Sequence, residues 1–119
     1  MPFPQKQNNE ISSLFNQKDF VDSTIAQLNK DLQGLFFTEL TNNFNSDSPI
    51  IEQLISTLQP ILQELSKKQP EQLSQFIYRV DLGEKKYLDS FSRDLSLTDL
   101  AFLVIEREAQ KVYLRAKFK

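Results

Sequence analysis

The sequence contains no cysteine, no histidine and no tryptophan, and only 2 glycines among its 119 residues. Without cysteine the chain has neither disulfides nor thiolate metal sites. Without histidine it lacks the commonest general base and the commonest ligand for transition metals. A metal would have to be held by carboxylates and carbonyls, yet no segment shows a dense Asp/Glu repeat on one helical face. We therefore expect no catalytic residue, no cofactor, no metal site and no small-molecule substrate.

Long apolar runs are also missing. The longest unbroken run covers residues 100–105, whereas a membrane-spanning helix needs about 20 apolar residues. The first residues lack the apolar segment of a signal peptide. These features predict a cytoplasmic protein that does not use a membrane as its partner.

The charge is weakly negative and unevenly distributed. The formal net charge is −2, with 14 Lys and Arg against 16 Asp and Glu. Residues 1–69 hold five Lys and eight Asp/Glu, a net of −3, and residues 70–119 hold nine Lys/Arg and eight Asp/Glu, a net of +1. A domain that binds nucleic acid is usually basic overall, so this composition does not favour such a partner.

The spacing of apolar residues predicts an all-α, single-domain bundle of about five helices. Apolar residues recur three and four positions apart, and no segment alternates apolar and polar residues as a half-buried strand would. Residues 1–10 contain two prolines and are expected to form a flexible arm, and residues 11–119 to form one helical domain. Two long N-terminal helices, two short helices and one long C-terminal helix are predicted.

The two long N-terminal helices are predicted over residues 19–44 and from Pro49 to about residue 68. In the first, Gly34 lies inside the periodic pattern and indicates a bend or a close helix contact. In the second, Ser48 is a candidate N-cap and Pro49 suits the first helical position. Pro60 is expected to kink this helix without dividing it.

The three remaining helices are shorter or more apolar. Pro70 opens a short helix whose inner face comprises Leu73, Phe76, Ile77 and Val80. Asp81 and Glu84 have the spacing of a capping box and predict a fourth short helix. Ser96 and Asp99 predict the start of a last helix over residues 97–117. Because its residues 100–105 are apolar around the whole circumference, we expect this helix to be the centre of the bundle or the seam of a dimer.

Two surfaces are candidates for binding. Phe36, Phe37 and Phe44 concentrate aromatic side chains on the first helix, and adjacent Phe36 and Phe37 diverge by about 100°. One of them is expected to face outward as a partner surface, unless the arm or another helix covers it. A polar cluster is formed by Tyr78, Arg79, Asp81, Glu84, Glu106 and Arg107. It is either a carboxylate- or phosphate-binding site or a set of caps and inter-helix ion pairs.

The C-terminal helix offers an alternative function. Arg107, Lys111 and Arg115 recur every four residues and share one face with nearby Lys117, so they could contact nucleic-acid phosphates. Cations at a helix C-terminus are also favoured by the helix dipole alone. The main hypothesis is a non-enzymatic module that binds a protein partner or forms a homodimer, and the alternative is a small nucleic-acid-binding regulator.

The C-terminal half resembles a group of short uncharacterised bacterial proteins. The resemblance covers about residues 70–116 and is carried by LSQFIYRVD at 73–81, EKK at 84–86, LA at 100–101 and IEREAQKV at 105–112. The group has no assigned activity. The resemblance implies a bacterial cytosolic setting and no catalytic role.

Overall fold

The structure is a computed structural model that describes residues 14, 15, 17–35, 40, 49–82 and 96–117. These residues form four helices: α1 (Lys18–Leu32), α2 (Ile50–Lys68), α3 (Pro70–Val80) and α4 (Leu97–Lys117). No strand occurs in this part of the chain, so the predicted all-α class is confirmed. The predicted arm, residues 1–10, lies outside the described residues.

The fifth predicted helix is not among the described elements. Its segment after Leu82 lies in residues 83–95, outside the described residues. Asp81, expected to cap its start, is the C-terminal cap of α3 and has the left-handed conformation, with φ 65° and ψ 43°. Its amide donates to the carbonyls of Ile77 and Tyr78, which ends α3.

The first helix is shorter than predicted. It ends at Leu32, not at residue 44, because the chain turns at Gln33 and Gly34 adopts φ +80°. Such a left-handed residue just after a helix is commonly glycine, which has no Cβ to strain. Gly34 therefore terminates α1 instead of lying inside it, and the apolar spacing that continues beyond it misled the sequence analysis.

Replacing Gly34 should show by how much its left-handed backbone conformation lowers the stability when another residue adopts it. No atom lies within 4 Å of the position a Cβ would take, so Gly34→Ala creates no steric contact and any loss comes from the positive φ. We expect Gly34→Ala to lower the free energy of unfolding by about 1 kcal/mol, and Gly34→Asn by less, because asparagine tolerates the left-handed region. Urea unfolding followed by circular dichroism measures both. An alanine variant as stable as the parent would contradict the left-handed conformation of Gly34.

The other helices follow the predicted pattern closely. α2 continues through Pro60 as one helix, with Pro60 on the exposed face. Pro49 was predicted to be the first residue of this helix, but it is the residue just before the first one. Ser48 lies outside the described residues. The four inner residues predicted for α3 are all buried.

The start of α4 is fixed by the predicted capping pair. The Asp99 amide donates to Ser96 Oγ at 3.2 Å, and the Ser96 amide donates to Asp99 Oδ2 at 3.4 Å. These reciprocal bonds form a capping box. α4 then packs against α1, α2 and α3, and Leu100, Ala101, Val104 and Ile105 are at most 2% exposed. The last helix thus contacts the other three, although Phe102 and Leu103 of its apolar run are only partly buried.

The core lies where α1, α2 and α3 meet this central helix. Its largest fully buried side chains are Phe76 of α3 and leucines of α1, α2 and α3. None of the helices in the described residues is long and apolar enough to cross a membrane.

Candidate functional site

A row of polar side chains joins α1 to α4 along one side of the core. This α1–α4 polar seam consists of Gln27 and Asp31 on α1, and Glu108, Lys111 and Arg115 on α4. Lys111 Nζ lies 3.0 Å from Asp31 Oδ2 and 2.7 Å from Glu108 Oε1. Gln27 Nε2 donates to both Asp31 oxygens at 3.3 Å, and Arg115 Nη2 donates to Gln27 Oε1 at 2.8 Å. The seam fixes α1 against the central helix.

Glu108 is the most deeply placed member of the seam. Its residue exposure is 0%, and that of Asp31 is 7%. Burial, followed by a hydrogen bond with Asp31, raises the pKa of Glu108 to about 8, although the Lys111 ammonium opposes this shift. At neutral pH the Glu108 carboxyl is therefore mostly protonated. Lys111 then faces one anion, Asp31, while Arg115 contacts the neutral Gln27 amide.

Arg79 closes the C-terminal end of α1. Its Nη1 donates to the backbone carbonyls of Asp31 at 3.1 Å and Gln33 at 2.7 Å. Carbonyls at the end of a helix have no partner within the helix, and a cation there also interacts favourably with the helix dipole. The Arg79 carbonyl in turn accepts from Lys111 Nζ at 3.2 Å. Arg79 thus links the ends of α1 and α3 to α4.

Arg107 has the equivalent role at the end of α3. Its Nε donates to the Asp81 carbonyl at 3.0 Å, and its Nη2 pairs with Asp81 Oδ2 at 3.0 Å. A further bond joins Nη1 to Gln110 Oε1. Both arginines therefore contact backbone carbonyls at helix ends, which corresponds to the cap-and-ion-pair interpretation of the predicted polar cluster.

The remaining predicted members of that cluster are dispersed. Tyr78 is 85% exposed and lies on the outer face of α3. Glu106 is 4% exposed. Glu84 lies outside the described residues. The structure therefore connects Arg79, Asp81 and Arg107 through contacts with α4. These three residues and Tyr78 do not all line one pocket.

The four predicted nucleic-acid contacts divide into two pairs. Lys111 and Arg107 turn inward, with side chains 20% and 26% exposed and engaged with carboxylates. Arg115 and Lys117 are exposed. Lys117 Nζ lies 5.5 Å from the Tyr113 ring centroid and donates to the Tyr113 hydroxyl at 3.3 Å. Arg107 and Lys111 are therefore used to hold the bundle together, and Arg115, although exposed, also contacts Gln27 of α1.

The predicted aromatic surface cannot be placed. Phe36, Phe37 and Phe44 lie outside the described residues. Among the described aromatic residues of this half, Phe15 is buried and packs edge-on against Phe20, with ring centroids 5.4 Å apart. The prediction of an exposed phenylalanine patch stays a prediction.

A shallow groove runs along the outside of the α1–α4 contact. Two adjoining depressions of about 520 and 420 Å³ share Ser23, Val112 and Ala116 and together form the α1–α4 groove. Small residues, Ser23 and Ala26 on α1 and Ala116 on α4, are exposed along it. Its further lining residues are Leu14, Gln17, Asp19, Phe20, Gln27, Lys30, Tyr113, Arg115 and Lys117.

The groove is apolar at one end and basic at the other. Partly buried Phe20 and Tyr113 line the first end together with Asp19 and Lys117, whose charges balance. Lys30 and Arg115 line the second end, where no lining residue is acidic. Three cations and one anion give the whole groove a net charge of +2. Arg115 donates to a neutral amide oxygen, so its charge is not compensated by that bond.

Several charged side chains of α1, α3 and α4 bond one another or backbone carbonyls. Within the described ranges, no group of three or more Asp and Glu residues is placed to hold a metal ion. Arg79, Arg107, Lys111 and Asp31 are occupied by one another or by backbone carbonyls. What this arrangement can do chemically is stabilise helix ends and present the α1–α4 groove.

Comparison with known proteins adds no relative. No family model, no curated protein and no solved structure matches the chain.

Asp31, Gln27 and the groove were not predicted from the sequence. A signal for the seam is present, because Thr24, Gln27 and Asp31 recur at spacings of three and four beside the apolar stripe of α1 and are all buried. Such a polar row predicts a second covered face on a helix. The sequence does not reveal which helix covers it, so the partners on α4 could not have been paired with it.

Proposed function

We propose that the protein is a non-enzymatic module that binds another protein through the α1–α4 groove. The observation that carries this proposal is that the α1–α4 groove is exposed and partly apolar, with small residues at its centre and aromatic residues at one end. Small side chains allow another helix to approach closely, and binding in a groove between helices is a common mode of peptide recognition. Aromatic side chains are frequent anchors in such interfaces.

A protein partner is favoured over nucleic acid by the use of the cations. Arg107 and Lys111, two of the four residues that a phosphate-binding face would need, already contact Asp81, Asp31 and Glu108. Releasing Lys111 would leave the buried carboxyl groups of Asp31 and Glu108 without their cation, which is costly. The remaining exposed cations border an apolar groove, as at the rim of a protein interface.

The test compares three forms of the full chain. In the first variant, called the groove variant, Ala26→Gln and Ala116→Gln fill the groove with larger, uncharged, helix-forming side chains. In the control, Ser56→Gln and Thr57→Gln make the same kind of change on the exposed face of α2. Each form is immobilised and exposed to lysate of the source cells, and retained proteins are quantified by mass spectrometry. Light scattering after size-exclusion chromatography measures its mass.

We expect at least one protein to be retained by the parent and the control, and reduced about tenfold or more with the groove variant. If the parent is a dimer and the groove variant is the 13.9 kDa monomer, the groove is the surface through which the protein associates with itself. If the three forms retain the same proteins and all run as monomers, the proposal is wrong.

A further inference from the structure

The occupant of the α1–α4 groove can be specified from the length, the depth and the charge of that groove. This step rests on the proposed function, because it names the partner of the same surface. The depressions extend along α1 from Gln17 to Lys30, and 13 residues of helix measure about 20 Å. A second helix of about three to four turns would cover this length.

The groove is open and shallow, which favours a helix over a small molecule. Sites for small ligands enclose most of the ligand surface, whereas Ser23, Ala26 and Ala116 are exposed along this groove. A helix laid against them needs only a row of apolar side chains at positions i, i+3, i+4 and i+7. Those side chains would contact Phe20, Val112 and Ala116, the apolar part of the lining.

The charges orient this helix. At the basic end, Lys30 and Arg115 line the groove without an acidic neighbour in the lining. At the apolar end, Asp19 and Lys117 offset each other. Charge complementarity therefore calls for carboxylates at one end of the docked helix, opposite Lys30 and Arg115. Arginine is also suited to gripping a carboxylate through two parallel bonds.

We propose that the α1–α4 groove binds an acidic amphipathic helix of a partner protein, with its apolar row over Phe20 and Val112 and its carboxylates at Lys30 and Arg115. A second copy of this chain fits less well. The helices α2 and α3 have carboxylates in their first turns, Glu52 and Glu71, but the cations Lys67, Lys68 and Arg79 in their last turns leave neither helix with a net negative charge.

The probe is a synthetic helical peptide of about 15 residues, with leucine along one face and glutamate at one end of the other. A matched peptide carries lysine in place of each glutamate. Fluorescence anisotropy measures the affinity of both peptides for the full chain, and amide chemical shifts locate the binding site. A mixed-sequence RNA oligonucleotide serves as a polyanion without an apolar face.

The parent chain should bind the glutamate peptide about tenfold more tightly than the lysine peptide at low salt, and the difference should shrink as salt is added. Shifts should concentrate on residues 17–30 and 112–117. Lys30→Gln with Arg115→Gln should remove the preference. The control, Lys67→Gln with Lys68→Gln, makes the same change in net charge at an exposed site on α2 and should leave the preference intact. Melting curves verify that both variants fold.

Three results would overturn the proposal. Equal or tighter binding of the lysine peptide in the groove refutes the acidic partner but leaves the proposed interaction function standing. Binding of RNA with the same dependence on Lys30 and Arg115, and no binding of the glutamate peptide, assigns the cations to nucleic acid. Absence of peptide shifts in the groove refutes helix docking there, and the capture experiment then decides separately whether the surface binds any protein.

Discussion

Lys111→Met should lower the free energy of unfolding by about 3 kcal/mol, the low end of the range for removing one partner of a buried ion pair. The Lys111 ammonium contacts Asp31 Oδ2, Glu108 Oε1 and the Arg79 carbonyl. Methionine keeps the length of the side chain but leaves the Asp31 carboxylate buried without a cation. The loss stays at the low end because Gln27 still donates to both Asp31 oxygens.

A triple variant separates a structural role of the seam from a functional one. Lys111→Met combined with Asp31→Leu and Glu108→Leu removes every ionisable group of the seam except Arg115. Replacing a whole buried ionic cluster with apolar residues of similar size is often neutral or stabilising. We expect the triple variant to recover most of the stability lost by Lys111→Met alone, as measured by urea unfolding.

The groove lies beside the seam, so peptide binding by the triple variant is informative. If the seam serves only to hold α1 against α4, the triple variant keeps the groove and its preference for the acidic peptide. A triple variant that is as stable as the parent but has lost the preference would assign the seam a direct part in recognition. A Lys111→Met variant with unchanged stability would contradict the structural role itself.

Two local features of the fold, the start of α4 and the inner face of α3, were predicted well. The capping pair Ser96 and Asp99 locates the start of α4 because both partners lie within one turn and bond each other. The apolar spacing in α3 identifies its inner face for the same reason. Such features depend on residues three or four positions apart, which a single sequence displays directly.

The end of α1 and the contacts between distant residues were not predicted. The apolar pattern of the first helix continues past Gly34, and only the conformation of that glycine, φ +80°, shows where the helix ends. Arg79 caps α1 from 46 and 48 positions away. Asp31 and Lys111 are 80 positions apart. A pairing at that distance requires knowing that α1 and α4 are neighbours, which the sequence pattern alone does not state.

The same lesson applies to the basic face of α4. The four-residue spacing of Arg107, Lys111 and Arg115 correctly predicts that they lie on one side of the helix, yet Arg107 and Lys111 contact the end of α3 and α1, and of the three only Arg115 is exposed. Charged residues on a central helix are therefore poor indicators of a binding surface until the packing of that helix is known. Arg115, the last of the three, contacts Gln27 in the seam and also lines the groove.

The stability of the protein should fall as the pH rises from about 5 to 8.5, and Glu108 should cause most of this change. Burial raises the pKa of Glu108 from 4.5 to about 8 in the folded state, so the folded chain holds a proton that the unfolded chain has already released. The stabilisation is fully present below about pH 4.5 and is lost as the pH rises through 8. The expected loss is on the order of 3 kcal/mol.

Glu108→Gln is the matched control for this pH dependence, because its amide can donate to Asp31 without titrating. We expect the free energy of unfolding of the parent, measured in urea at pH 5, 6, 7, 8 and about 8.5, to fall steeply relative to that of the variant. The variant should be no more stable than the parent at pH 5 and more stable at the highest pH, since the parent must then ionise a carboxyl group beside the Asp31 carboxylate. Parallel curves for the two chains would mean that Glu108 is ionised in the folded protein at neutral pH, and that Lys111 balances two anions in the seam instead of one.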